Sequence, residues 1–181
     1  MFGIIGSKYV PIALAEYGYA DLALKQLLQE QYPGFAWQLK RGATTLWEAW
    51  RVLGVQSSNH IMFGSIPAWC FRYPGGFRFS PDSPGTLRLQ PVFSSVLKNF
   101  SSEYEHISSC WNIEGDICRY RAGIPEGKEI ELVLPDGRKE LLGAGTHSFE
   151  IVCGSSASGS FTQNVEIHYV TKKGGNKIGG R

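Results

Sequence analysis

Several classes of protein are excluded by what this chain lacks. No apolar run approaches the ~20 residues needed to span a bilayer, so no membrane role is read from it. The opening, "MFGIIGSKYVPIALAEYG", has no basic region followed by a clean apolar stretch and a cleavage site. It does not read as a signal peptide; it reads as the inside of a domain, and nothing assigns a compartment. The four cysteines, Cys70, Cys110, Cys118 and Cys153, form no CxxC pair, which removes the usual zinc arrangement. No GxGxxG, P-loop, HExxH or GxSxG motif occurs, and "SSASGS" lacks the following Lys-Ser/Thr of a phosphate cradle. Net charge is only +2, with no basic stripe interleaved with aromatics, so nucleic acid is not expected as a partner. No metal or cofactor is implied, and no repeat of fixed period is visible.

What is present is apolar and aromatic. Apolar residues make up 43% and charged residues 19% of 181, enough to bury a core and too apolar for global disorder. Aromatics reach 13%, with five tryptophans, a supply that suits either a large core or flat faces for sugar stacking.

The first 73 residues carry helical periodicity. Residues 8–17 predict a helix, with Pro11 placed in its first turn and Gly18 as its stop. Residues 19–31 predict a second, with Ala20, Leu24, Leu27 and Leu28 at helical spacing. The single turn between them makes an antiparallel pair, which "YPG" at 32–34 ends. "FAWQLKRGA" reads as an aromatic loop. A short helix follows from about Thr45 to Trp50, then a polar loop, then a helix from about His60 to Tyr73. That last helix is apolar nearly all round and needs burial on most sides; Pro67 is expected to kink it. Left uncovered, it would drive self-association.

The stretch "YPGGFRFSPDSPG", residues 73–85, is dense in proline and glycine, so a linker is expected at 74–85. After it the period changes to two. "TLRLQPV", "EYEHISSCWN", "DICRYRAGI", "KEIELVLPDG" and "THSFEIV" read as strands. Their spacing suggests a small antiparallel β-sandwich over 86–153. Cys110 and Cys118 flank the turn-like "NIEGDI". Cross-strand disulfide geometry is demanding and buried thiols are common, so they are read as free. Residues 154–181, rich in Gly, Ser and Lys, read as a mostly flexible tail, with "VEIHYV" as a weak strand signal. The fold class is therefore α+β in two segments: antiparallel helices, then an antiparallel sandwich.

"GATTLWEAW", residues 42–50, sets one carboxylate, Glu48, between Trp47 and Trp50. Two readings stand. Thr45-Leu46-Trp47-Glu48 has capping-box spacing, in which the glutamate bonds back to the amide of the capping threonine. Alternatively, a carboxylate beside the indoles of Trp37, Trp47 and Trp50 can take a proton from water next to a stacked sugar, as one half of a glycosidase pair does. His60 in "SSNHIMFGS" is similarly open. Ser58 or Asn59 can cap the next helix and leave His60 in its first turn, or its ring can meet a sugar hydroxyl.

Taken in order, the helix pair, "YPGFAW", "GATTLWE", "NHIMFGS", "LRLQP", "ELVLPDG" and "GAGTHSFE" resemble the C-terminal end of the bacterial-type α-L-rhamnosidases, over about residues 2–152. These are inverting glycoside hydrolases. The resemblance implies that residues 1–73 are the last helices of an (α/α)6 barrel and 86–153 its C-terminal β-sandwich. It implies that Glu48 is the general base and that His60 contacts the bound rhamnose, with Trp47 beside the base. The stretch between base and histidine, Ala49 to Asn59, is shorter than in many members. The family's general acid lies in an upstream acidic motif with no counterpart here. The helical part holds only Glu16, Asp21, Glu30 and Glu48; Glu16 and Glu30 sit near helix ends, and Asp21 lies in a first turn, where acids are favoured by the helix dipole. The implied partner is a rhamnose-containing glycoside, met by Trp47 and His60 on the resemblance and by Trp37 and Trp50 as further stacking faces on the residue reading above. A chain of this kind carries the base without the acid and is expected to be inactive alone. The alternative is a non-catalytic carbohydrate-binding or structural remnant.

Overall fold

The computed structural model describes residues 3–50, 57–80, 83, 85–135 and 137–153. Four helices come first: α1 (Ile4–Glu16), α2 (Ala20–Leu27), α3 (Phe35–Lys40) and α4 (Ser65–Arg72), the last preceded by a 3-10 turn at Ile61–Phe63. Eight strands follow: β1 (Phe77–Phe79), β2 (Leu87–Leu89), β3 (Asn99–Tyr104), β4 (Ile107–Glu114), β5 (Ile117–Ile124), β6 (Ile130–Val133), β7 (Lys139–Leu142) and β8 (Gly145–Val152). The α+β class and the order of helices then sheets agree with the sequence reading.

The link between α1 and α2 is Tyr17-Gly18-Tyr19. Gly18 takes φ +85°, a left-handed conformation that glycine adopts without steric cost and that stops the helix there. The chain folds back, and Ala15, Ala20, Ala23, Leu24 and Leu27 bury against Trp69 and Tyr73 of the α4 end. Several boundaries differ from expectation. α1 starts at Ile4, so Pro11 lies inside the helix rather than in its first turn. A proline there withholds the amide that would bond the Ser7 carbonyl. α2 stops at Leu27, where Gln29 turns its side chain onto the carbonyls of Gln31 and Pro33. "FAWQLK", read as loop, is α3, while Thr45–Trp50, read as helix, is not. The expected helix 60–73 breaks at Gly64. Pro67 falls in the first turn of α4, where a missing N–H breaks no helical bond, so it does not kink the helix.

The strands form two four-stranded sheets, ordered β1-β2-β6-β7 and β3-β4-β5-β8. The second is antiparallel throughout. The first contains one parallel pair, β2 with β6, because the chain crosses to the other sheet between them. Alternation makes the core: along β5, Cys118, Tyr120, Ala122 and Ile124 turn inward. They meet Phe77, Leu89 and Leu132 from the facing sheet, with Trp111, Phe149 and Ile151 beside them. All four cysteines are free. Register sets Cys110 opposite Arg121 and Cys118 opposite Ile113, so the "NIEGDI" pair do not meet.

The start of the stretch expected as linker is packed into the fold. Pro74 to Phe77 are buried and Phe77–Phe79 is β1. Gly76, at φ +81°, passes so close to Pro91 that a Cβ would lie 2.6 Å from the Pro91 nitrogen; only glycine fits. Across this joint Trp111 Nε1 donates to the Pro74 carbonyl at 2.8 Å. Ser94 Oγ and the Ser95 amide donate to Asp21, and the Val92 amide donates to the Tyr73 carbonyl at 2.9 Å. Helices and sandwich are thus bonded along one seam. Residues 154–181, including "VEIHYV", lie outside the described residues.

Candidate active site

Glu48 is positioned by a clip of two extended segments, 45–48 and 57–60. The Glu48 amide donates to the Ser57 carbonyl at 3.0 Å, and the His60 amide donates to the Leu46 carbonyl at 2.7 Å. The side chains reinforce the ladder. Glu48 Oε2 accepts from the Ser57 amide at 2.9 Å, and Thr45 Oγ1 donates to the Ser58 carbonyl. The capping box therefore does not form. Both residues of that spacing reach across to the second segment instead of closing a helical turn. Behind the clip, α3 contributes Gln38, which is 3% exposed. Its Nε2 donates to the Ala49 carbonyl at 2.9 Å and so locks the chain one residue past Glu48. Gln38 is not legible in the sequence, because the six residues of α3 are too few to show a period and burial appears only in the packed structure.

The aromatics divide into two groups. Trp37 and Trp47 meet edge to face, with ring centroids 6.4 Å apart; Tyr32 packs on the other side of Trp37, and the Arg41 guanidinium lies 5.3 Å over its ring. Trp37, Trp47, Glu48 and His60 are all half-buried. Trp50 instead packs 4.7 Å from Phe35 and 4.6 Å from the buried Phe63. It lines a hollow of about 110 Å³ with Ser7, Pro11, Gln26 and Phe35. The structure thus brings Trp37 and Trp47 together and sends Trp50 to a separate packing cluster. His60 enters the clip through its backbone and precedes the 3-10 turn, rather than occupying the first turn of a helix.

The other carboxylates of the helical part are engaged. Glu16 Oε1 accepts from the Tyr73 hydroxyl at 2.7 Å and from Arg72 and Arg78 at 3.0 Å each. Burial pushes the Glu16 pKa up, but the Tyr73 hydrogen bond and the two guanidinium groups outweigh it and hold it below the usual carboxylate range. Such a group resists protonation, the opposite of what a general acid needs. Burial and the same hydrogen bond push Tyr73 up to about 12. Asp21 is held by Ser94 and Ser95, and Glu30 pairs with Lys40. No group of three or more metal-ligating side chains occurs among the described residues. No helix among them is long and apolar enough to cross a membrane.

The helical layer and the two-sheet domain bonded to it correspond to two successive domains of the six-hairpin glycosidase class. Within that class, the chain belongs to the bacterial α-L-rhamnosidases. Residues 1–73 match the family described as bacterial alpha-L-rhamnosidase 6 hairpin glycosidase domain, and residues 76–149 match the bacterial alpha-L-rhamnosidase C-terminal domain. An α-L-rhamnosidase of Alteromonas sp. (strain LOR) is 33% identical over 148 residues, covering 74% of this chain and 16% of that protein. One from Formosa agariphila is 24% identical over 160 residues, covering 81% and 17%. Among solved structures, the α-L-rhamnosidase of Dictyoglumus thermophilum aligns with TM-score 0.71 at 28% identity, over 82% of this chain and 20% of that one. The Aspergillus terreus enzyme aligns with TM-score 0.73 at 26% identity, over 82% and 19%. The chain therefore spans about a sixth of the length of the curated relatives it matches.

Proposed function

We propose that this chain contributes the general base of an inverting α-L-rhamnosidase, and that Glu48 is that base. The carboxylate takes a proton from the water that attacks the anomeric carbon of a terminal rhamnoside. An inverting pair stands about 6.5–9.5 Å apart to leave room for that water. The partner acid is expected from chain that precedes the corresponding segment in the longer relatives, since Glu16, Asp21 and Glu30 are each tied into the fold. Trp47 borders the water site, Trp37 extends the apolar face for the sugar's C–H edges, and His60 meets a hydroxyl. Trp50 supports the site from behind through Phe35 and Phe63.

The observation that carries the proposal is how Glu48 is held. Its backbone and one carboxylate oxygen are fixed across the 45–60 clip beside Trp47, a pre-organised acceptor rather than a mobile surface acid. The test joins this chain to the upstream region of a relative and measures hydrolysis of an aryl α-L-rhamnoside. Glu48→Gln is expected to lower kcat by roughly 10²–10⁴-fold with the fold intact. A glutamine variant of undiminished activity excludes the role.

The perpendicular Trp37–Trp47 pair favours a second reading, a sugar platform that binds without catalysing. Titration of the chain alone with rhamnose separates the two: saturable binding lost in Trp47→Ala supports the platform, and silence at millimolar sugar leaves the site dependent on the rest of the barrel. The exposed groove between α1 and α4, with Ile61 84% exposed, supports self-association of the isolated chain through the 60–73 segment.

A further inference from the structure

Cys118 and Cys153 meet at the end of the sandwich. β5 and β8 are antiparallel, with Cys118 opposite Ile151 and Ile117 opposite Val152. Cys118 is fully buried on the inner face of β5 with Tyr120 and Ala122. Phe149 and Ile151 are the inward residues of β8. Cys153, two residues past Ile151, continues on that inner face and packs against the same core cluster. Its amide donates to the Asp116 carbonyl at 2.6 Å, which carries the ladder one step beyond the last strand residue. Cys118 and Cys153 are therefore diagonal neighbours on one face, and the Cys153 thiol, in the absence of a disulfide, donates to the Ile151 carbonyl at 3.8 Å. Neither of the other two cysteines shares this geometry: Cys110 faces Arg121 across the sheet and Cys70 lies on α4.

We propose that Cys118 and Cys153 are a redox pair that a low-molecular-weight disulfide, such as oxidised glutathione, converts into an intrachain disulfide closing the end of β8 onto β5. Cys153 is the half-buried member and the one an incoming disulfide reaches first. The neighbouring Cys118 thiol lowers its pKa despite burial, which favours the nucleophilic thiolate. Its sulfur attacks one sulfur of the glutathione disulfide, that S–S bond breaks, and one glutathione leaves and takes up a proton. Cys118 is held as a thiol chiefly by the neighbouring Cys153 sulfur and then by burial. Formation of the mixed disulfide neutralises the Cys153 sulfur and removes the first cause. Cys118 then gives up its proton, attacks the Cys153 sulfur and expels the second glutathione. Two protein thiols are oxidised, and one glutathione disulfide is reduced to two thiols. Diagonal partners in a regular sheet stand about 7–8 Å apart at Cα, whereas a disulfide spans about 4.4–6.8 Å. The end of β8 must therefore shift inward. That shift gives up the Cys153 amide bond to the Asp116 carbonyl, the last rung of the ladder.

The experiment incubates the full, native chain in glutathione buffers of increasing oxidation, alkylates the remaining thiols, and maps peptides by mass spectrometry. The expected result is loss of two of the four thiols, a peptide linking 118 to 153, and return of all four on reduction. Cys118→Ser is expected to stop at a glutathione adduct on Cys153, whereas Cys153→Ser forms neither adduct nor bridge. A double Cys70→Ser, Cys110→Ser variant behaves as wild type. Four free thiols at the most oxidising ratio, a bridge to Cys70 or Cys110, or a 118–153 link formed only in denaturant overturns the proposal.

Discussion

The two halves of the molecule solve burial in opposite ways. The sandwich supplies both walls of its own core. Leu89 and Leu132 from one sheet and Tyr120 and Ile151 from the other are at most 1% exposed. The helical half has one wall. Its small core lies along the seam with α4, while Ile5 at 75%, Ile61 at 84% and Leu39 at 68% exposure face outward. A groove of about 600 Å³ opens between α1 and α4, lined by Ile5, Tyr9, Ile12, Ile61 and Trp69. Helices can stand this way because each satisfies its backbone hydrogen bonds internally, whereas a sheet face needs a second layer. The self-contained half is the scaffold, and the candidate site belongs to the half whose surfaces ask for more protein.

The largest effect expected is catalytic and confined to the open half. Glu48→Gln in the joined enzyme lowers kcat by roughly 10²–10⁴-fold while denaturation curves stay superimposed. A matching loss of stability would assign Glu48 to the scaffold instead. The next effect sets the two cores against each other in urea titrations. Leu132→Ala, at 0% exposure, should cost about 4 kcal/mol, and Leu24→Ala, beside open helix faces, about 2 kcal/mol. Equal losses would remove the distinction drawn between them.

A smaller effect tests the seam through pH. The folded pKa of Glu16 is lowered, so its stabilisation is fully present above the unfolded value of about 4.3. It is lost as pH falls through the lower folded value. Thermal melts below about pH 4.3 should therefore show a steeper loss for wild type than for Glu16→Gln, whereas identical slopes would mean the Tyr73–Arg72–Arg78 cluster contributes nothing measurable. The smallest effect on stability is that of Ile61→Ser, within about 0.5 kcal/mol. It should nonetheless reduce self-association of the isolated chain in sedimentation; unchanged association would place that contact elsewhere.

Much of the sandwich was legible because strand alternation is local: "DICRYRAGI" shows on its face which residues turn inward. The parallel β2–β6 pairing was not, since it depends on where the intervening chain goes. In the helical half, Ala20, Leu24 and Leu27 revealed α2, while six residues, "FAWQLK", were too few to reveal α3 by period. Thr45 and Glu48 show the limit most plainly. Their spacing satisfies the capping box, yet both side chains bond to residues 57–58, a pairing invisible to any short window. Trp50 was read with Trp37 and Trp47 from proximity in sequence, and packing against Phe35 and Phe63 separated it.

By itself, then, the order of residues determined the two-part α+β class and the family, because these rest on short-range periodicity and on ordered motifs. Tertiary structure alone decided that residues 73–77, at the start of the proline- and glycine-rich stretch, are a buried seam, that Glu16 is pinned between Tyr73 and two arginines, and that Cys153 rather than Cys110 is the diagonal neighbour of Cys118. Those outcomes depend on contacts between residues far apart in the chain, and only the packed backbone sets which distant groups come within reach.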